Sequence, residues 1–190
     1  MTVLELATKT RSCRRFHERE PIHIDQLKTL VDLARLAPSA GNLQPLKYII
    51  SNTPGKNSVI FSCLAWAGYL KDWPGPGEGE RPAGYIIIVG DTKLTKDFGC
   101  EHGITAQAIA LGATEMGLGC CMLTNVNKDR LSALLKIPRQ YPILIVIALG
   151  KPKEQIVIDE VKDGDIKYWR DADQVHHVPK RSLSELIFEP

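Results

Sequence analysis

The chain has 190 residues, 44% of them apolar and 24% charged, which is the balance of a folded globular domain rather than a disordered or fibrous chain. Its net charge of +2 is too small to single out a nucleic acid or a membrane surface as partner. No apolar run approaches the ~20 residues that cross a bilayer, and the start, with its early Glu5, lacks the basic-then-apolar pattern of a signal peptide. The five cysteines are odd in number and sit among apolar residues, as thiols do in a reducing compartment, so a cytoplasmic location is expected.

In chain order, Thr2 to Thr10 reads as a short amphipathic helix. It leads into Arg11-Ser12-Cys13-Arg14-Arg15-Phe16, where three guanidinium groups and a hydroxyl fall within five residues. From Ile24 to Ala37, Leu27, Leu30, Val31 and Ala34 repeat at helical spacing. Asp25 suits the helix dipole, and Pro38 stops the helix. Ser39 to Pro45 is a turn crowded with small and amide residues, followed by a strand at Tyr48-Ile49-Ile50. A turn at such a junction is where ligand groups are often held. The arginine run and this turn together point to a phosphorylated, planar, hydrogen-bonding ligand. Guanidinium forks match phosphate oxygens in pairs, and a hydroxyl or backbone N–H fills the remaining positions.

Lys56 to Lys71 is expected to be helical, with Val59, Cys63 and Ala67 on one face. Asp72 to Pro82 is too rich in glycine and proline for regular structure and reads as a surface connection or a lid. Tyr85 to Val89 is a strand buried on both faces. Ile104 to Met116 is a helix without a wide polar face, hence central, and Gly117 and Gly119 end it. Cys120 to Leu123 is a short strand, Asn127 caps a helix from Asp129 to Leu135, and Ile143 to Leu149 is a second all-apolar strand. Ser182 to Glu185 has capping-box spacing for a last helix. Strands alternating with helices predict one layered α/β or α+β domain over residues 1–190; periodicity leaves the strand order open.

Several features have plainer readings. Cys120-Cys121 suits core packing better than redox chemistry, whereas Cys13 among arginines is expected to have a lowered pKa. Arg15 alternates with Arg14 and is expected at the solvent side. Neither His176-His177 nor Glu101-His102 makes a chelate, because adjacent side chains diverge, so no metal is expected. Gly117-Leu118-Gly119 follows a helix and precedes a strand, the reverse of a dinucleotide fingerprint. No nucleophile motif or acid–base constellation stands out, as when a bound cofactor carries the chemistry.

The motifs of this chain resemble those of the nitroreductase family, whose members bind flavin mononucleotide (FMN). The matching residues are Arg11-Ser12-Cys13-Arg14-Arg15-Phe16; Pro38, Ser39, Asn42, Gln44 and Pro45; Met116 to Met122; and His177-Val178-Pro179-Lys180-Arg181. Two positions differ from the common pattern: Thr10 stands before Arg11 where many members have arginine, leaving Lys180 as a substitute phosphate partner, and Leu46 replaces an aromatic. The resemblance implies an α+β fold, a three-layer α/β/α sandwich with a mixed central sheet, in an arm-exchanged homodimer. It implies that Arg11, Ser12 and Arg14 bind the flavin phosphate and the polar ring edge. Pro38, Ser39 and Asn42 would reach the flavin from the other subunit, Gln44 would also bind the cofactor, Leu123 and Thr124 would lie near the ring, and Lys180 and Arg181 would close on the phosphate. Arg14 would stabilise negative charge on the reduced ring. The implied activity is a ping-pong cycle in which NAD(P)H reduces FMN, which then reduces a nitroaromatic, a quinone or a similar electron-poor acceptor. Two alternatives stay open: a flavin enzyme of specialised chemistry (reductive dehalogenation or flavin fragmentation), and a non-catalytic flavin-binding sensor or carrier.

Overall fold

The computed structural model describes residues 1–189. Its centre is a four-stranded sheet formed by β1 (Leu46–Ser51), β2 (Gly84–Gly90), β3 (Gly119–Leu123) and β4 (Ile143–Gly150), in the order β1-β2-β4-β3. Every neighbouring pair in it is antiparallel. The parallel character comes from the arginine arm, where Ser12 bridges Cys120 in parallel at the β3 edge. The continuous apolar runs of β2 and β4 follow from burial on both faces: all seven residues of β2 are buried.

Helices cover both faces. On one face, α2 (Ile24–Arg35) and α4 (Glu101–Glu115) pack Leu27, Leu30, Ile109 and Ala113 against Ile86, Ile88 and Ile147. On the other, α3 (Pro54–Phe61) and α5 (Lys128–Leu135) set Ile60 and Leu131 against Ile87, Cys121 and Val146. The strand alternation thus divides two cores, and the layered sandwich expected from the sequence is present. The close approach of α2 to α4 needs Gly112, where an added Cβ would lie 2.3 Å from Leu33 Cδ1.

The helix expected over Lys56 to Lys71 is shorter. It closes at Phe61, the chain turns through Ser62 and Cys63 into a bridge between Leu64 and Val126, and Ala67 beyond it takes a left-handed backbone at φ 38°. Burying Cys63, Trp66 and Ala67 in an irregular turn wins over helical propensity. The glycine- and proline-rich stretch after it is anchored rather than free: Phe16 N–H donates to Glu80 O (3.0 Å), and Gly79 N–H donates to Glu18 (2.6 Å). A second sheet, β5 (Ile156–Glu160), β7 (His176–Lys180) and β6 (Trp169–Arg170), was not legible from the sequence. Its short strands alternate little, and its burial is partial. The ends are two short helices, α1 (Val3–Lys9) and α6 (Leu183–Leu186), each opened by a capping box. Among the described residues, no helix is long and apolar enough to cross a membrane.

Candidate active site

Two glycines let the arginine arm lie along the sheet. Gly119 of β3 pairs with Gly150 of β4. Added Cβ atoms would fall 2.8 Å from Cys13 Sγ at the first and 2.8 Å from Phe16 Cδ1 at the second. Cys13 N–H donates to Cys120 O (2.8 Å), while His17 and Lys153 tie the arm to the segment after β4. Phe16 is fully buried and fixes the end of the arm.

This anchoring revises two expectations. Arg15 does not face open solvent but holds Glu80 in a fork, with Nε at 2.8 Å and a terminal nitrogen at 2.6 Å. The Arg15 hydrogen bond, reinforced by Lys153, pulls the Glu80 pKa down to about 2. Cys13 is not an activated thiol: burial first, and the Glu154 carboxylate second, push its pKa well up. Desolvation dominates because Cys13 is only 2% exposed. Cys120 and Cys121 are free, buried and pushed up to about 12 and about 11 by burial, as suits core thiols.

The arm borders a cavity of about 310 Å³ whose walls come from four elements. Arg11, Ser12 and Arg14 come from the arm, Gln107 from α4, Met122 from β3, and His176 and Lys180 from β7. Of the basic stretch near the C-terminus, Lys180 lines the same cavity as the N-terminal Arg11 and Arg14. Neither Arg11 nor Lys180 pairs with a carboxylate among the described residues. Arg11 donates to the carbonyl of Ala7 (2.5 Å), and its Nε is buried without a partner. Cations without carboxylate partners beside one cavity have the charge and donors that suit an anion.

Arg14 is held in three ways. Its guanidinium lies 4.6 Å from the centre of the Tyr168 ring and donates to Ser12 O (3.2 Å) and to His176 Nε2 (3.1 Å). Because arginine only donates, Nε2 accepts and the imidazole proton belongs on Nδ1, which is buried without a partner. Burial first, then the cations Arg14 and Arg170, lower the His176 pKa to about 4. The ring is therefore neutral at the cavity wall and serves there as the acceptor for Arg14. Beneath it, buried Glu154 accepts from the backbone N–H of Arg14 and from Arg170 (2.9 Å), and Arg170 in turn lies 4.3 Å from the Trp73 ring centre.

Neither His176 nor Gln107 is among the site residues expected from sequence, and Tyr168 belongs to a segment, Tyr168 to Asp171, whose role as interface, substrate wall or packing the sequence leaves open. The residue before the basic stretch carried a signal only as part of a histidine pair; the strand alternation of β7 turns His176 inward. His177 points the other way, stacked 4.0 Å from Trp169 between Asp159 (2.7 Å) and Asp171 (3.2 Å). Burial works against its charge, but the hydrogen bonds to Asp171 and Asp159 prevail and raise its pKa.

The second motif forms a separate structure. Ser39 to Gln44 is a tight turn with left-handed backbone at Gly41 (φ 57°), Asn42 (φ 55°) and Gln44 (φ 51°). Buried Glu101, at the start of α4, holds it by accepting from Ala40 N–H (2.7 Å) and Ser39 Oγ (3.1 Å). Within one chain, Pro38, Ser39 and Gln44 border another cavity, of about 190 Å³, and Asn42 is exposed. Three other expected residues also lie away from the anion cavity. Leu123 is packed in the α3/α5 core, Thr124 is exposed after β3, and Arg181 pairs with Glu185 (3.3 Å).

The fold and this cavity define an α+β protein with a cation-lined cleft at one sheet edge, walled in part by its two terminal segments. The nitroreductase family model matches residues 7–68 and 81–151, and the chain belongs to the nitroreductase family. The unmatched stretch between those segments is the loop that carries Trp73 and Glu80. A Streptococcus pyogenes relative, provisionally named as an NAD(P)H nitroreductase, is 38% identical over 197 residues, spanning 85% of this chain and 98% of its own. A nitroreductase family protein from Streptococcus pneumoniae superposes with a TM-score of 0.69 at 18% identity over 100% of both chains. An FMN-dependent nitroreductase from Clostridium difficile does so with a TM-score of 0.66 at 22% identity, over 86% of this chain and 94% of its own.

Proposed function

We propose that this protein is an FMN-dependent oxidoreductase that uses NAD(P)H to reduce nitroaromatics, quinones or similar electron-poor acceptors, and that it works as a homodimer. The observation that carries the reading is the pairing of Arg11 with Lys180 across one cavity, two cations without carboxylate partners drawn from opposite ends of the chain. The names of the S. pyogenes relative and of the C. difficile structure support the same cofactor and reductant.

The cavity's residues fit the group. Arg11 and Lys180 supply charge for a phosphate, with the Ser12 hydroxyl beside them, and the orphaned Arg11 Nε lacks only an acceptor. Arg14, held by the neutral His176 ring, is a donor at the wall that Tyr168 closes. FMN, when bound, supplies hydride transfer from the nicotinamide and onward reduction of the acceptor. The chain's part is to bind, orient and bias charge. Arg14, fixed on Tyr168, presents a permanent cation that favours any negative charge developing beside it.

A dimer is supported by what one chain leaves incomplete. The Ser39–Gln44 turn is built and braced, yet it borders no part of the anion cavity. Large apolar side chains at both ends are bare, Leu4 at 77% and Phe188 at 85% exposure. Bare apolar ends of this kind suit exchange between two copies, with Asn42 serving the partner's cofactor.

The test is the absorption spectrum of purified protein before and after anaerobic NAD(P)H. The parent should be yellow and bleach. Arg11→Ala combined with Lys180→Ala should be colourless, since each charge-assisted hydrogen bond contributes about 1.5–3 kcal/mol. Full flavin occupancy in the double variant overturns the phosphate assignment, and a flavin-loaded monomer in sedimentation overturns the dimer.

A further inference from the structure

A cavity of about 450 Å³ lies between α3 and the start of β2, at the β1/β2 side of the sheet. The anion cavity is at the β3 edge, and the two share no lining residue. Its size is within the range of small-molecule sites, about 300–1,000 Å³. Two of its lining residues hold a buried polar atom with no partner: the hydroxyl of Tyr85, whose side chain is fully buried, and Nε of Arg81. An orphaned buried hydroxyl costs about 1–3 kcal/mol, and phenylalanine would fill the same space without that cost. Arg81 is not loose either. Its guanidinium is laid over Phe61, 4.8 Å from the ring centre, which fixes the plane of its donor fork.

The charges at the cavity select the ligand. Arg19 and Arg81 face one acid, Glu18, whose carboxylate is already engaged by the backbone N–H groups of Gly79 (2.6 Å) and Arg81 (3.3 Å). One net positive charge suits a monoanion better than a dianion. The rest of the wall is mixed: Pro54, Phe61, Pro82 and Ala83 form an apolar part beside the polar Asn52, Asn57 and Ser58. We propose that this cavity is a second binding site, for a small organic monocarboxylate with an apolar body, its two oxygens taken by the Arg81 fork and the Tyr85 hydroxyl.

Benzoate is the probe, with benzamide as its neutral counterpart and inorganic phosphate as the competing anion, each titrated into full-length protein and followed by ¹H–¹⁵N spectra. Benzoate should give saturable shifts at residues 57–61 and 81–85, and benzamide should bind at least tenfold more weakly. Arg81→Gln should weaken benzoate at least tenfold. Tyr85→Phe should weaken it at least threefold without lowering the thermal midpoint, so the site stays testable if the arginine variant fails to fold. Absence of benzoate shifts at these residues, or equal benzoate affinity in Tyr85→Phe, overturns the proposal. So does phosphate binding there as tightly as benzoate. The visible spectrum of the holoprotein should not move in these titrations, which separates the outcome from that of the flavin reading.

Discussion

Arg14 donates to Nε2 of His176 across 3.1 Å, and the two residues are 162 positions apart in the chain. A cation aimed at an imidazole keeps that imidazole neutral. The His176 pKa falls to about 4 through burial, then Arg14 and Arg170, against an ordinary value of 6.5. The unfolded chain takes up this proton near pH 6.5 and the folded chain does not until about pH 4, so stability falls as pH drops through that window. Replacing His176 with glutamine, which keeps an acceptor for Arg14 but does not titrate, should remove as much as about 3 kcal/mol of the acid-induced loss. Denaturant melts of parent and variant at pH 7 and pH 4.5 measure it, and parallel losses in both would show that His176 is not held neutral.

Glu154 is the hinge between the arm and Arg170, with its side chain fully buried and that of Arg170 8% exposed. Removing the acid strands a buried guanidinium and frees the Arg14 backbone N–H. Glu154→Ala is expected to cost about 3–5 kcal/mol in guanidinium melts, and Glu154→Gln, which keeps an acceptor, should cost less.

Glu101 braces the Ser39–Gln44 turn from outside it. Glu101→Ala leaves the Ser39 hydroxyl and the Ala40 N–H unsatisfied and should cost about 1–3 kcal/mol. Hydrogen exchange should rise at residues 40–44 in particular, since their left-handed backbone has no other anchor of this strength. If the turn serves a neighbouring subunit's cofactor, flavin affinity falls in the same variant although Glu101 lies outside the anion cavity.

Gly119 admits the arm because it has no Cβ. Gly119→Ala places a methyl group 2.8 Å from Cys13 Sγ and 2.9 Å from its Cβ, a clash that should cost about 1–3 kcal/mol. Cys13→Ala in the same chain should recover at least part of that loss, a coupling read from the double-mutant cycle. No recovery would place the strain at Pro152 instead, whose Cβ lies 3.2 Å away.

The two all-apolar strands, the central helix and the cap at Asn127 were legible because local pattern and burial agree there. The second sheet was not, since β5 and β7 are only partly buried and take their pairing from each other rather than from a periodic pattern. Arg15 and Cys13 depart from the sequence-based expectation for one reason: their surroundings, Glu80 and a closed core, come from distant segments.

The chain alone determined which residues could bind an anion, because guanidinium, ammonium and hydroxyl groups carry that chemistry wherever they stand. It also determined the layered core, because apolar runs must leave water. Only the tertiary structure decided which cations remain uncompensated. Arg15 and Arg170 are neutralised by carboxylates that folding brings to them, whereas Arg11 and Lys180 meet across a cavity with none. Whether a charge is spent on a partner or left for a ligand depends on distances of a few ångströms between residues far apart in sequence, and that is set by packing.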